Sequence, residues 1–370
     1  MRRLLLAGIL GGLLAASAEA RAPRLLTHAE WERVVRQAGI DPASIPDPIE
    51  PTRAIREAAL RLGYGTSHLA QLASMQAAMF DGGDYVFDYD TDLSLTAAEA
   101  FEAGRGNCVS FTNLFIALGR SRGIPVRLAV VEREARAERE GDLVLVNTHV
   151  VAAYAHSGKL TVYDFYRLRR DEVRGIRLLD DIWVTGIYLN NLAVRRLRTG
   201  DLEGANAVLD QALRLVPDFV GALGNLGVVR RRRGDLEGAF DAYRRALEIS
   251  PRDATVLGNL AALYRGLGRP REAAAALRSA DLRAATPWAL LVRGDLEAAD
   301  GHVEAALSWY RKARRLAPDL AEVWTAIAQA EATRGRSKAA LKAANRALEL
   351  EPENEAAAKV REGLTARPRP

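Results

Sequence analysis

Gly104-Arg105-Gly106-Asn107-Cys108-Val109-Ser110-Phe111-Thr112-Asn113-Leu114-Phe115 is the stretch on which the reading of this 370-residue chain turns. A glycine-rich loop gives way there to apolar residues at helical spacing, Phe111, Leu114, Phe115 and Leu118, and the only cysteine in the chain marks the switch. A lone cysteine has no partner for an internal disulfide or a cysteine zinc site. At the start of a helix its sulfur meets unpaired backbone N–H groups, which favour an anion and hence the reactive thiolate. Glycines beside it keep the sulfur accessible and let a substrate backbone approach. The stripe from Phe111 to Leu118 predicts one buried helical face, closed by Gly123 and Pro125. A purely structural cysteine belongs in that stripe, whereas Cys108 precedes it and reads as a nucleophile.

Downstream, residues 125–132 read as a strand, 133–142 as an exposed loop and 143–154 as a longer strand. Ser157-Gly158 is a hairpin turn signal, and 159–166 form the return strand. The charged run from Glu132 to Glu140 reads as a solvated loop or short salt-bridged helix in preference to a cover for a cleft. Strand alternation puts His149 on one face with Asn147 and Val151. A two-residue turn then sets Asp164 opposite Val151 and diagonal to His149, whereas a three-residue loop would send it to the other face. Aspartate is disfavoured inside strands, so its presence here points to a role. The candidate catalytic residues are therefore Cys108, His149 and Asp164.

Upstream, Thr27-His28-Ala29-Glu30 is a capping-box pattern, followed by Trp31, Val34, Val35 and Ala38 at helical spacing until Gly39. Pro42, Pro46, Pro48 and Pro51 forbid regular structure and mark a connector. Helices are expected at 52–62 and 67–80, a turn at 81–84, and a brief helix after the second capping box, Thr96-Ala97-Ala98-Glu99. The chain opens with Arg2 and Arg3, an apolar run from Leu4 to Ala16, and Ala18-Glu19-Ala20, the pattern of a cleavable secretory signal that is too short to span a bilayer comfortably. Residues 1–20 are set apart as a signal peptide, and the mature chain is expected in a periplasm or secreted. No later stretch reads as a membrane span. An unpaired thiol is a liability in an oxidising compartment, so a retained cysteine asks for a reason.

The net charge of +5 falls to +4 when Arg2, Arg3 and Glu19 leave with the signal. With five lysines among 52 basic residues, this excess reads as arginine-rich coding rather than an anion-binding surface. The densest run, Arg230 to Arg233, lacks interleaved aromatics and suits a helix C-terminus, which argues against nucleic-acid binding.

After residue 185 the texture becomes periodic. Pro217, Pro251, Pro318 and Pro352 recur at 34-residue intervals or close to twice that. Small residues stand where paired helices must touch (Ala193, Ala205, Ala212; Gly227, Ala239, Ala246; Ala261, Ala273, Ala280), and glycines 200, 234, 268 and 301 separate the two helices of each unit. This pattern resembles the tetratricopeptide repeat. Five units are expected at 186–219, 220–253, 254–286, 287–320 and 321–353, with a polar capping helix and tail over 354–370.

Gly-Asn-Cys108 opening an apolar helix, followed by Asn-Thr-His149 and Val-Tyr-Asp164 on paired strands, resembles the transglutaminase-like superfamily, relatives of papain-type cysteine proteases, over roughly residues 80 to 170. The resemblance implies an α+β core in which Cys108 is the nucleophile, His149 the general base and acid, and Asp164 the group that orients the imidazole. Bacterial members joined to tetratricopeptide repeats exist. Val109 stands where animal transglutaminases carry Trp, and Phe165 where many relatives carry Pro, which weakens the case for an amine as acceptor. The backbone N–H of Cys108 is the one oxyanion donor named.

The expected architecture is an α+β transglutaminase-like (cysteine-protease-like) domain at 81–185, with a helical region at 21–80 packed on it, followed by an all-α tetratricopeptide-repeat solenoid at 186–353. The expected function is that of an exported thiol hydrolase cleaving peptide or amide bonds through a thioester, with the repeats binding a protein or peptide partner. The alternatives are a non-catalytic envelope scaffold and an amine-transferring transglutaminase. His28, His68, His156 and His302 are scattered without His-Glu-x-x-His spacing, and no phosphate-binding loop follows a strand, so no metal or other cofactor is expected.

Overall fold

A computed structural model describes residues 24–80, 85–133, 137–140, 143–146, 149–165, 173–279 and 287–365. The expected signal peptide and the turn at 81–84 lie outside the described residues, as does Ala280.

Both capping boxes form. Thr27 starts α1 (His28–Gln37) and Thr96 starts α4 (Ala97–Ala103), each bonded to the N3 backbone while Glu30 or Glu99 reaches back. Thr52 and Ser67 cap α2 (Arg53–Leu62) and α3 (His68–Ala78). The proline-rich connector holds one turn of 3₁₀ helix, Pro42–Ser44, capped by Asp41. Proline at its first position suits that turn, because its missing N–H is not needed there.

Helix α5 (Cys108–Ser121) is the axis of the first half. Every residue from Val109 to Gly119 is buried, so the single buried face expected from the apolar stripe is corrected to burial on all sides. Helices α2, α3 and α4 pack on it from one side and a strand of the main sheet from the other. Side chains such as Phe111, Leu114, Phe115 and Leu118, each at most 1% exposed, contribute about 1.5–3 kcal/mol apiece.

That sheet has four antiparallel strands in the order β7-β6-β3-β8, with β3 Arg127–Arg133, β6 His149–His156, β7 Lys159–Tyr163 and β8 Val173–Leu178. Strand β8, which the sequence reading missed, pairs with the far edge of β3. The turn between β6 and β7 has two residues, Ser157 at φ 49° and Gly158 at φ 71°, the left-handed pair that a type I′ hairpin requires. A separate parallel pair, β1 (Asp88–Tyr89) with β2 (Arg105–Gly106), leads into α5.

Within the charged segment, where 134–136 and 141–142 lie outside the described residues, the described part is strand and not loop or helix. Residues Ala137–Glu140 form β4, antiparallel to β5 (Leu143–Val146), so the long strand expected at 143–154 is two strands serving two sheets. Strand β5 reaches helix α10 of the second half.

That second half is a stack of helix pairs: α6 (Ile182–Arg198) with α7 (Leu202–Leu215), α8 (Val220–Arg232) with α9 (Leu236–Ile249), α10 (Ala254–Gly266) with α11 (Pro270–Ser279), α12 (Pro287–Ala299) with α13 (Val303–Leu316), and α14 (Ala321–Thr333) with α15 (Ser337–Leu350). Helix α16 (Glu355–Thr365) closes the end. Helix α6 starts ahead of the expected residue 186. Glycines 200, 234, 268, 301 and 335 take φ between 68° and 82° between the two helices of each pair, a conformation that side chains resist. Each first helix touches the next, α6 to α8 to α10 to α12 to α14, so these helices form the inner layer of the solenoid.

The halves share one core, continuous from Trp31 through Phe115 and Ile187 to Leu263. At the junction Trp31 Nε1 donates to Thr185 Oγ1 at 2.9 Å, and Arg120 donates to both oxygens of the nearly buried Asp181 at 2.7 Å. Among the described residues no helix is long and apolar enough to cross a membrane.

Candidate active site

The loop before Cys108 is shaped by Gly106 at φ 155°, where a Cβ would overlap the Ser110 side chain. Asn107 is the N-cap of α5: its Oδ1 accepts from Val109 N–H at 3.0 Å and Ser110 N–H at 3.3 Å. The cap therefore uses the second and third donors of the helix and leaves over the first, that of Cys108 itself. Asn107 N–H and the Ser110 hydroxyl both donate to Leu93 O, at 2.8 and 2.6 Å, stitching the loop before α4 to the helix start. Cys108 is partly exposed at this tip, whereas the next eleven residues are buried.

His149 is the first residue of β6 and is 9% exposed. Its Nε2 lies 2.8 Å from Oδ2 of Asp164, itself 7% exposed. The Cys108 thiol is the other group that acts on the imidazole and, like Asp164, favours its protonated form. The fold thus gathers the three residues singled out in the sequence, with His149 in contact with Asp164 and close enough to Cys108 to feel it. The hairpin register explains it. Ala152 pairs with Tyr163, so one step further sets Asp164 against Val151, although ladder pairing stops at Tyr163 and Asp164 follows the strand instead of lying within it.

Burial is the largest influence on His149 and disfavours its charged form, but the hydrogen bonds to Asp164 and Cys108 and their negative charge outweigh it. The imidazole pKa is raised to about 9. A pKa that high keeps the imidazole mostly protonated at neutral pH.

Several supporting residues escaped the sequence reading. Gln76 on α3 donates to the backbone O of Asp164 at 3.2 Å. Phe165, noted only as a departure from proline, puts its ring 5.0 Å from Tyr89, 5.2 Å from Phe80 and 5.9 Å from Phe111, pinning the chain just after Asp164. Thr112, one turn beyond Cys108, donates to Val150 O at 3.3 Å and registers the cysteine helix against the histidine strand. The glutamine, the threonine and the aromatic spacing carry no local signal; only the fold gathers them.

Of the other histidines, His68 contacts Tyr154 OH at 2.9 Å and His156 stacks on Tyr154. His28 is less isolated than its sequence position implied: its Nδ1 is 3.0 Å from Asp47 and 3.8 Å from Glu50, ligand-type atoms that all fall within 4.8 Å of one another. The hydrogen bond to Asp47 raises the His28 pKa, and burial raises that of Asp47.

Family models match two parts of the chain. Residues 61–163 match the family model described as transglutaminase-like superfamily, and residues 190–254, 230–293 and 321–354 match three tetratricopeptide-repeat models. A search of curated proteins gives no match. Among solved structures, Pseudomonas aeruginosa pilF is 21% identical, with a TM-score of 0.45 over 49% of this chain and 82% of that one. YrrB, described as a TPR protein with an unusual peptide-binding site, is 22% identical with a TM-score of 0.36 over 48% of this chain and 92% of that one. A thermophilic TPR protein of Thermus thermophilus, TTC0263, is 22% identical with a TM-score of 0.41 over 49% of this chain and all of that one. The lone cysteine at its helix tip and the 34-residue period thus each have a family: the chain joins a transglutaminase-like domain to a solenoid of tetratricopeptide repeats.

Proposed function

We propose that this protein is an exported thiol hydrolase that cleaves peptide or amide bonds, with its repeats holding a protein or peptide partner. The observation that carries the reading is the meeting of Cys108, His149 and Asp164, with His149 Nε2 2.8 Å from Asp164 and the thiol at the start of α5 acting on the same imidazole. The sulfur attacks the carbonyl carbon, and the negative charge moves to the carbonyl oxygen, which the Cys108 N–H faces. His149 passes its proton to the departing amine as the C–N bond breaks, leaving a thioester on Cys108. Water, deprotonated by neutral His149, then attacks the thioester and releases the acid, and the thiol is regenerated. Asp164 holds the ring in the tautomer and orientation both steps need. Export rests on the signal pattern of residues 1–20, and in that setting an isolated thiol is retained for its chemistry.

The test uses the purified mature chain. Acyl-enzyme trapping on quenched peptide and amide substrates, read by mass spectrometry, is expected to place one acyl group on Cys108 and none on the Cys108→Ala variant. An adduct elsewhere, or hydrolysis undiminished in Cys108→Ala, would falsify the assignment. Adding a primary amine to the same assay separates water from amine as acceptor by the product formed.

A further inference from the structure

The loop from Asp90 to Leu95 bridges the solenoid and the cysteine helix. Asn191, on the first solenoid helix α6, donates from Nδ2 to Ser94 Oγ at 3.0 Å. Ser94 Oγ also accepts from Nδ2 of Asn107 at 2.7 Å, and Oδ1 of the same amide caps Val109 and Ser110. The arrangement is directional. An amide has a donor end and an acceptor end, and the close acceptor at Ser94 holds the donor end so that the oxygen of Asn107 faces the two helix N–H groups. Without Ser94 the donor end keeps only Thr91 O, at 3.4 Å. Arg198 of α6 braces the same loop through Asp92 at 2.9 Å. Asn191 continues inward through Asn190 at 3.4 Å to Asn225 of α8 at 2.8 Å, so the chain of amides starts in the inner layer of the solenoid.

We propose that Asn191 and Ser94 are positioning residues for Cys108: they orient the Asn107 cap, and the first repeat is thereby a working part of the thiol site rather than a tethered adaptor. The dipole of α5 acts on the sulfur only while its first turn is held, and the cap that holds it is set from a helix in the other half of the molecule. Sequence neighbours do not supply this contact. The proposal rests on the reading of Cys108 as an activated nucleophile.

The experiment is alkylation of the full chain by iodoacetamide from pH 5 to 10, with labelling at the single cysteine followed by mass spectrometry. Ser94→Ala and Asn191→Ala are each expected to slow labelling at pH 7 by about three- to tenfold and to move the pH midpoint upward. Ser94→Thr, which keeps the hydroxyl, is expected to restore the original profile. The double alanine variant is expected to be no slower than the slower single variant, because both cut one connection. A general loss of stability would lower the melting temperature without moving the pH midpoint. Profiles that superimpose on the unaltered chain, or a double variant whose effect is the product of the singles, would overturn the relay. If instead the unaltered Cys108 labels like a free thiol and is indifferent to His149→Ala, the reading of the site itself fails.

Discussion

Replacing Asp164 with Asn removes one charge from the active line with almost no change in shape. His149 is raised from 6.5 to about 9 in the folded chain, with burial working against the rise and the bonds to Asp164 and Cys108 producing it. A rise of about 2.5 units corresponds to about 3 kcal/mol of preference for the imidazolium. The sign follows from linkage. A folded pKa above the unfolded one adds stability that is fully present below about pH 6.5 and is lost as pH rises through about 9. Asparagine offers no charge, so the His149 midpoint should fall by about one to two units, with most of that pH-dependent stability going with it. The direct assay is an NMR titration of histidine-labelled protein, which is tractable because the chain has five histidines. Hydrolysis should fall about 10²- to 10⁴-fold in the same variant, because the ring loses its tautomer and orientation. A His149 midpoint near 6.5 in the unaltered chain, or one that does not move in Asp164→Asn, would refute the reasoning.

Gly106→Ala forces a Cβ into the Ser110 side chain at a positive φ, and should cost about 2–4 kcal/mol by urea unfolding while abolishing Cys108 acylation. Arg120→Ala strands the carboxylate of Asp181, 2% exposed, and should cost about 3–5 kcal/mol, with amide exchange rising in α6 before it rises in α14. In the solenoid, Gly227→Ala meets the ring of the fully buried Tyr243; it should lower the thermal midpoint of the repeats yet leave the His149 titration in place.

Much of the chain was legible because its signals are local. Capping boxes at Thr27 and Thr96, the cysteine at a helix start and the two-residue turn at Ser157-Gly158 each depend on residues within a turn or two of one another. From the turn length alone, Asp164 came to lie beside His149. What failed was of another kind. Residues Ala137–Glu140 carry charge typical of a loop, yet pair as a strand because Leu143–Val146 offer an edge. Strand β8 is legible only once β3 exists to receive it. Helix α5 looked amphipathic because composition does not reveal that neighbours pack on both sides.

The sequence by itself determined the repeat, the caps, the hairpin and the meeting of His149 with Asp164, since periodicity and turn chemistry act over a few bonds. Only the tertiary structure decided how those residues are held. Gln76 is 88 positions from the carbonyl it braces, and Asn191 is 97 from the serine it orients. A hydrogen bond at such separation forms only after the chain has met the entropy of closing the loop between its ends, and that is set by the packed core the two halves share.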